Sequence, residues 1–225
     1  MMKGITFKVS GHYGHFKQPQ TNNNPCTFAY MHKVAIIGFL GAVTGIERSL
    51  MVALYPQLCE DLICSIKLLT PIIKEPHAFT KRKAIEGHFF EPGQRFCEYL
   101  REPSYEITLG LKNDRSKGYF DDFCDKVKNE LSVYPTYLGS VNCPAYFEFV
   151  KDVEISEEKT GEFQTDSILS NTHTIENDFV SERVPTNQPK KMFYSGWILT
   201  VCVQGVTVPT SGPYRLINDK AAWFI

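Results

Sequence analysis

The chain of 225 residues has no apolar run longer than Val34 to Ile46, well short of the ~20 residues a membrane-spanning helix needs. It has no Cys-x-x-Cys pair. Its seven cysteines, Cys26, Cys59, Cys64, Cys97, Cys124, Cys143 and Cys202, are an odd and scattered set. That excludes a zinc knuckle and a disulfide framework, and it fits a reducing cytoplasm. No phosphate-binding loop is present, because Gly38 to Gly45 lacks the closing Lys-Ser/Thr. No Gly-x-Ser-x-Gly elbow occurs, and no two of the six histidines fall four apart on a plausible helix. His12 and His15, three apart, sit in loop-like sequence with no carboxylate nearby. No metal or cofactor is expected. Met1-Met2-Lys3-Gly4 leads straight into strand-like sequence, so no secretory leader is expected either.

Acidic residues are also missing from the first 46 positions, which carry Lys3, Lys8, Lys17 and Lys33. The net charge of −1 conceals this asymmetry. Residues 1–118 hold 15 Lys and Arg against 10 Asp and Glu, whereas residues 119–225 hold 9 against 15. Such a split points to a polyanion on the front half, or to a solvated imbalance with no function. With 43% hydrophobic and 22% charged residues, the chain otherwise reads as an ordinary globular protein.

The stretch Lys33 to Arg48 is apolar all round, so as a helix it must be covered on nearly every side. Gly38, Gly41 and Gly45 fall at i, i+3 and i+7 on one face. Together they cost a helix about 2–3 kcal/mol, which implies something lying directly against that face. Close packing on a strand is one reading; approach of a nucleic-acid backbone or a partner subunit is the other.

Around this helix the chain alternates between sheet and helix patterns. Ile5 to Val9 alternates as a half-buried strand. His12 to His32 is loop-like, with Pro19 and Asn22-Asn23-Asn24-Pro25. It holds His12, Tyr13, His15, Phe16, Lys17, Tyr30, His32 and Lys33, which suit base stacking and phosphate pairing. A helical piece near Leu50 to Glu60 precedes a strand at Leu62 to Leu69. Pro71 to Pro92 reads as an insertion with a basic tip, Lys81-Arg82-Lys83, flanked by Phe79, Phe89 and Phe90. Arg95 to Leu100 and Tyr105 to Leu111 are strands, Asp121 to Leu131 a helix with its aspartates near the N-terminus, and Ala145 to Val153 a strand. Residues 1–153 thus form an α+β domain of β-α-β-β-α-β order, ferredoxin-like or RRM-like, with a thumb-like insertion at 71–92. Residues 154–225 follow as an acidic connector, Glu154 to Asn177, and a small β appendage with strands at Phe179 to Val184 and Met192 to Val203. Turns are expected at Pro185 to Pro189 and Pro209 to Pro213.

One enzymatic option survives these exclusions. Metal-free RNA cleavage needs a base, an acid and a cation, which His15, Tyr30, His32 and Lys81 would supply if loop and insertion met. A protein-binding module of ferredoxin-like fold is the third class of reading.

Four stretches in order carry a resemblance: Phe7 to Lys17 (F-K-V-S-G-H-Y-G-H-F-K), Ala35 to Arg48 (A-I-I-G-F-L-G-A-V-T-G-I-E-R), Gln94 to Leu111, and Pro135 to Ala145. Together they resemble CRISPR-associated (Cas) family five of the RAMP superfamily. Arg183-Val184-Pro185 and Trp197 resemble its tail less clearly, and the glycine-rich loop many RAMP proteins carry near the C-terminus is not found. The resemblance implies a non-catalytic subunit of a type I Cascade surveillance complex, closest to subtype I-B, in antiviral defence. It would hold the 5′ handle of the crRNA, cap the filament of backbone subunits and touch the large subunit near the PAM-proximal end of target DNA. The handle would meet His12, Tyr13, His15, Phe16, Lys17, Lys33, Lys81, Arg82, Lys83 and Arg95. Arg48 would contact RNA or pair with Glu47 or Glu60.

Overall fold

The computed structural model describes residues 1–85, 88–174, 179–190 and 193–225, with 81–85 and 88–92 described by their backbone alone. Alternation sets the first strand, β1 (Met2–Ser10). Its Ile5, Phe7 and Val9 are fully buried, while Lys8 on the other face meets Glu148 at 2.7 Å. A two-residue strand β2 (Tyr13–Gly14) and a long loop lead to α1 (Lys33–Thr44) and α2 (Arg48–Asp61). The chain returns as β3 (Leu62–Leu68), then forms a hairpin of β4 (Lys74–Ile85) and β5 (His88–Arg101), then β6 (Ser104–Leu111). Helix α3 (Lys117–Lys128) and strand β7 (Tyr146–Ile155) follow.

Strands β7, β1, β6 and β3 lie side by side in that order, each antiparallel to its neighbours. This is the expected ferredoxin-like arrangement, since two β-α-β crossovers interleave their strands in just this way. Helices α1 and α3 cover one face. Phe7 stacks on Phe39 at 6.1 Å and meets the edge of Phe123 at 5.3 Å, and all three are buried. Burying each such ring contributes roughly 1.5–3 kcal/mol. On the opposite face Thr6 and Thr108 join their hydroxyls at 2.9 Å.

The C-terminal residues build onto this frame. They supply β8 (Lys159–Thr165), β9 (Leu169–Ser170), β10 (Val180–Val184), β11 (Asn187–Lys190), β12 (Phe193–Ser195), β13 (Ile198–Cys202), β14 (Val208–Ile217) and β15 (Lys220–Ala222). β14 and β15 extend the main sheet beyond β7, β8 pairs along β14, and β10, β13 and β9 form a small sheet of their own. Ile168, Val184 and Cys202 join the same core as Phe7 and Ile37.

Several boundaries differ from expectation. Glu154 to Asn177 is no plain connector, since it contributes the end of β7 and all of β8 and β9. Its polar alternation is that of a strand with one face in water. Pro209 and Pro213, expected in a turn, sit inside β14. Ser211, between them, turns its carbonyl away from β8 to the amide of Thr174 at 3.1 Å. Residues two apart share that orientation, so the prolines lack only an N–H that β8 would not have used. The expected turn at Pro185 to Pro189 becomes largely β11. The strand at Met192 to Val203 is broken at Gly196, whose φ of +64° lets its carbonyl accept the Thr186 hydroxyl at 2.6 Å. Helix α3 begins a turn before Asp121, so no acidic residue occupies its first turn, and Leu131 lies beyond it, 62% exposed. Arg95 to Leu100 is the returning strand of the hairpin rather than a strand of the main sheet. Among the described residues no helix is long and apolar enough to cross a membrane.

The glycine face of α1 is covered from within the chain. A Cβ on Gly38 would fall 2.6 Å from the Tyr55 hydroxyl, and one on Gly41 would fall 2.7 Å from the Met51 sulfur. Gly45 ends the helix in the left-handed region, φ +79°, with Val133 packed over it. The close approach within the chain is therefore by α2 and the 133 turn, not by a strand.

Candidate nucleic-acid interface

The loop between β2 and α1 positions the site, and it is fixed by hydrogen bonds rather than by periodicity. His15 N–H donates to the Leu138 carbonyl at 2.9 Å, Phe28 N–H to Phe16 at 2.8 Å, and Phe16 N–H to the Thr27 hydroxyl at 2.9 Å. The Glu182 carboxylate accepts Ala29 N–H at 2.9 Å and lies 3.7 Å from Lys74, which in turn lies 3.5 Å from Glu98. This half-buried network ties the loop to the base of the hairpin and to β10. Burial pushes the Glu182 carboxyl above its usual range, with Lys74 and the Ala29 amide opposing.

Pairing of β2 with β5 sets Tyr13 opposite Arg101. On this face of the hairpin, residues at alternate positions line up: His77 and Phe79 on β4, Arg95 and Tyr99 on β5. The Tyr13 ring meets His77 at 5.0 Å and Tyr99 at 6.0 Å; His77 and Tyr99 are 5.1 Å apart, and Phe79 is 6.1 Å from Tyr99. Tyr13 is 37% and Phe79 46% exposed. Arg101 is held beside them by Glu75 at 2.7 Å. The result is a solvent-facing aromatic strip edged by arginines, a form suited to unpaired bases and their phosphates.

Behind the loop lies a cavity of about 670 Å³. Its walls are Phe16 and Lys17 of the loop, His32 and Gly38 of the α1 segment, Tyr55 of α2, Tyr137, and Phe193 and Tyr194 of β12. His32 precedes α1, is buried, and touches Phe28 at 4.8 Å and Tyr194 at 5.9 Å. Among the described residues its Nδ1 has no hydrogen-bond partner. Burial lowers its pKa to about 3, so the ring is neutral at physiological pH.

The sequence-derived site residues divide sharply. Tyr13, His12 and Lys17 are exposed, and Arg95 is half-buried on the strip face. Arg48 is exposed at the start of α2; among the described residues it makes no ion pair, and Glu60 pairs with Arg115 at 3.1 Å instead. Lys33 is buried, not surface-facing, and donates to the Ile225 carbonyl at 3.1 Å; burial lowers its pKa. Phe16 is a core residue, 2% exposed, reaching only the cavity wall. His15 is buried beneath the strip; its Nδ1 donates to the Glu98 carbonyl at 2.7 Å, and burial lowers its pKa. The three differ from expectation for one reason: they lie in unbroken buried runs, residues 14–16 and 27–34, where apolar neighbours draw the whole stretch inward. The strand positions of Lys81, Arg82 and Lys83 are in β4, but their side chains lie outside the described residues.

Of the four residues proposed for cleavage, the side chain of Lys81 lies outside the described residues, and the other three do not share a surface. His15 faces Glu98, Tyr30 is fully buried with its hydroxyl 2.7 Å from Thr200, and only His32 lines the cavity. The sequence reading missed His77, Tyr99, Tyr55 and Tyr194. For His77 with Phe79 and Tyr99 with Arg95 the signal was there, as same-face spacings on two strands. For Tyr55 and Tyr194 there was none.

No protein-family model and no curated protein matches this chain significantly. A solved structure of a CRISPR protein from Archaeoglobus fulgidus superposes with a TM-score of 0.58 at 11% identity, covering 98% of each chain. A chain of a CRISPR RNA-guided surveillance complex superposes at 0.55 with 13% identity, covering 93% of this chain and 91% of its own. At these identities what is shared is the fold, and it is shared over nearly the whole length with these CRISPR proteins.

Proposed function

We propose that this protein is a Cas family five subunit of a type I CRISPR surveillance complex, subtype B, that binds the 5′ handle of the crRNA without cleaving it. In that role it caps the backbone-subunit filament and contacts the large subunit, near the PAM-proximal end of target DNA. The observation that carries this reading is the strip of exposed Tyr13 and Phe79 and half-buried His77, packed over the buried Tyr99 ring and edged by Arg95 and Arg101. A single-stranded handle can splay its bases onto such rings while arginines and lysines take its phosphates. The shared fold with a chain of a surveillance complex supports the same reading.

Fluorescence anisotropy with a labelled repeat-derived RNA tests it, on the purified chain and on the assembled complex. Changing Lys81, Arg82 and Lys83 together to alanine is expected to weaken binding and flatten the salt dependence by about two units of slope. Unchanged assembly and slope would count against the thumb. Product formed by the protein alone in EDTA would replace the binding role with a metal-independent endoribonuclease. Absence of RNA affinity in both settings would favour a protein-binding module.

A further inference from the structure

The face of the main sheet turned away from α1 and α3 carries a polar row that neither the core nor the strip uses. Register sets Lys151 of β7 beside Thr6 of β1, Thr6 beside Thr108 of β6, and Thr108 beside Ser65 of β3. Cross-strand partners point to the same side of a sheet, so an ammonium and three hydroxyls stand in line across four strands. The row on one side of them is apolar or bare: Val153, Gly4, Gly110 and Ile63. The row on the other side, Glu148, Lys8, Glu106 and Lys67, alternates in charge and neutralises itself. Ala221 and Ala222 of β15 complete a cavity of about 70 Å³ around the hydroxyls, with Lys220 and Lys151 on its wall.

The hydrogen-bond inventory of this cavity leans toward donors. Thr6 and Thr108, 2% and 5% exposed, bond to each other at 2.9 Å; whichever donates, the other keeps an O–H to give. Ser65 is 5% exposed, lines the cavity, and has no hydrogen-bond partner for its hydroxyl among the described residues. Unlike the Tyr105 hydroxyl, which is partnerless and sealed, the Ser65 oxygen keeps accessible surface. Donors left free in a buried row cost stability unless something accepts from them. Lys151 and Lys220 are exposed and make no ion pair among the described residues. The carboxylates on the wall are already paired: Asp166 meets Lys67 at 2.6 Å, and Glu106 lies between Lys8 and Lys67 in its row. A cation entering would face two unpaired ammoniums, whereas an anion is drawn to them. We propose that this cavity is an oxyanion site that takes a phosphate group against the Ser65 and Thr6–Thr108 hydroxyls, with Lys151 and Lys220 closing over it. Serine and threonine hydroxyls and lysine ammoniums are ordinary partners of phosphate oxygens. One water needs about 10–15 Å³ of such space, so the cavity has room for a tetrahedral anion. The group is a free phosphate or a phosphate of a bound nucleotide chain; its chemistry is the same, and the site stands whether or not the RNA role does.

In the test, inorganic phosphate is titrated into the purified chain against sodium chloride at matched ionic strength, and followed by phosphorus NMR line width and thermal melting. Wild type is expected to show saturable broadening and a rise in melting temperature that tracks it. Lys151→Ala combined with Lys220→Ala, at two exposed positions, is expected to weaken phosphate about tenfold or more, the worth of one charge-assisted contact. Ser65→Ala is expected to weaken it severalfold and to leave the melting temperature in chloride unchanged or raised, since the lost hydroxyl had no partner. Repeat-derived RNA on the assembled complex identifies the source. Phosphate that competes with RNA, with a salt slope shallower by about one to two units in the lysine variant, marks an RNA phosphate. Phosphate bound without competition, with RNA affinity unchanged in that variant, marks a free one. No saturable broadening in wild type would overturn the site and leave only water in the cavity. Stabilisation by phosphate retained in full by both variants would overturn it as the general action of an excluded salt. Either failure leaves the RNA-binding role as it was.

Discussion

The hairpin strip and the α1 cavity both gather aromatic rings within a few residues of one loop, yet they are opposite kinds of surface. The strip lies on the three-stranded ladder of β2, β5 and β4, edged by arginines, and its rings are aligned by strand pairing and alternate-residue spacing. The cavity is enclosed by tertiary packing, contains a neutral histidine, and draws its walls from residues as far apart as Phe16 and Tyr194. The first suits a contact that is sequence-tolerant and weakened by salt; the second suits one that is selective by shape and insensitive to salt. Their common support is the loop from Tyr13 to His32. Breaking that loop should destroy both, whereas changes on either side should separate them.

The largest effect is expected at Gly139, whose φ is +82° and whose missing Cβ faces the His15 carbonyl and lies 2.8 Å from Phe16. Gly139→Val should cost about 3 kcal/mol through backbone strain and overpacking, lowering the melting temperature by roughly 10 °C and abolishing RNA binding. Thermal melts and anisotropy on the same sample check this.

Acid is expected to act through the buried histidines. His32 has a folded pKa of about 3 against 6.5 for the free side chain. The unfolded chain therefore binds the extra proton between these values, and stability falls as pH drops through 6.5 toward 3. The loss should be about 2 kcal/mol between pH 7 and pH 5. His15, also lowered by burial, adds in the same direction. His32→Leu should flatten this acid limb in urea titrations at several pH values. An acid limb as steep as the wild type's would show that the ring is not held neutral.

A smaller effect is expected where the loop meets β10. Glu182→Ala takes this acceptor from the Ala29 N–H and the Gln18 side-chain amide, while Lys74 keeps the Thr27 carbonyl and Glu98, and should cost about 1–2 kcal/mol. Glu182→Gln, which keeps an acceptor for the amide, should cost less. The smallest change in stability belongs to the strip. Phe79→Ala and Tyr13→Ala should each stay within about 0.5 kcal/mol of wild type in unfolding, because both rings are exposed. Each should still weaken RNA binding severalfold, since a stacked base is worth about 1–3 kcal/mol. Equal affinity in both variants would remove the strip as the principal contact.

Much of this fold was legible where one face of an element is dry and the other wet. Ile5, Phe7 and Val9, or Tyr105, Ile107 and Leu109, declare a strand because each alternates with polar neighbours. Phe123 and Val127 declare α3 in the same way. The strip was half legible: Tyr13 and Arg95 were singled out, His77 and Tyr99 were not, because nothing in one strand says which residues of another stand beside it. The cavity was not legible. Lys33 and Phe16 carry side chains that suit RNA, and only their burial removes them from the surface. The prolines of β14 misled for a related reason, since their cost depends on which side of the strand has a partner.

Local sequence determined the order of strands and helices and the demand for a close neighbour on the glycine face, because periodicity and backbone freedom are properties of consecutive residues. Tertiary structure decided that the neighbour is α2, that the C-terminal strands extend the main sheet, and that His32 is sealed beside a cavity. Those outcomes depend on which distant side chains meet, and on how much water each meeting excludes.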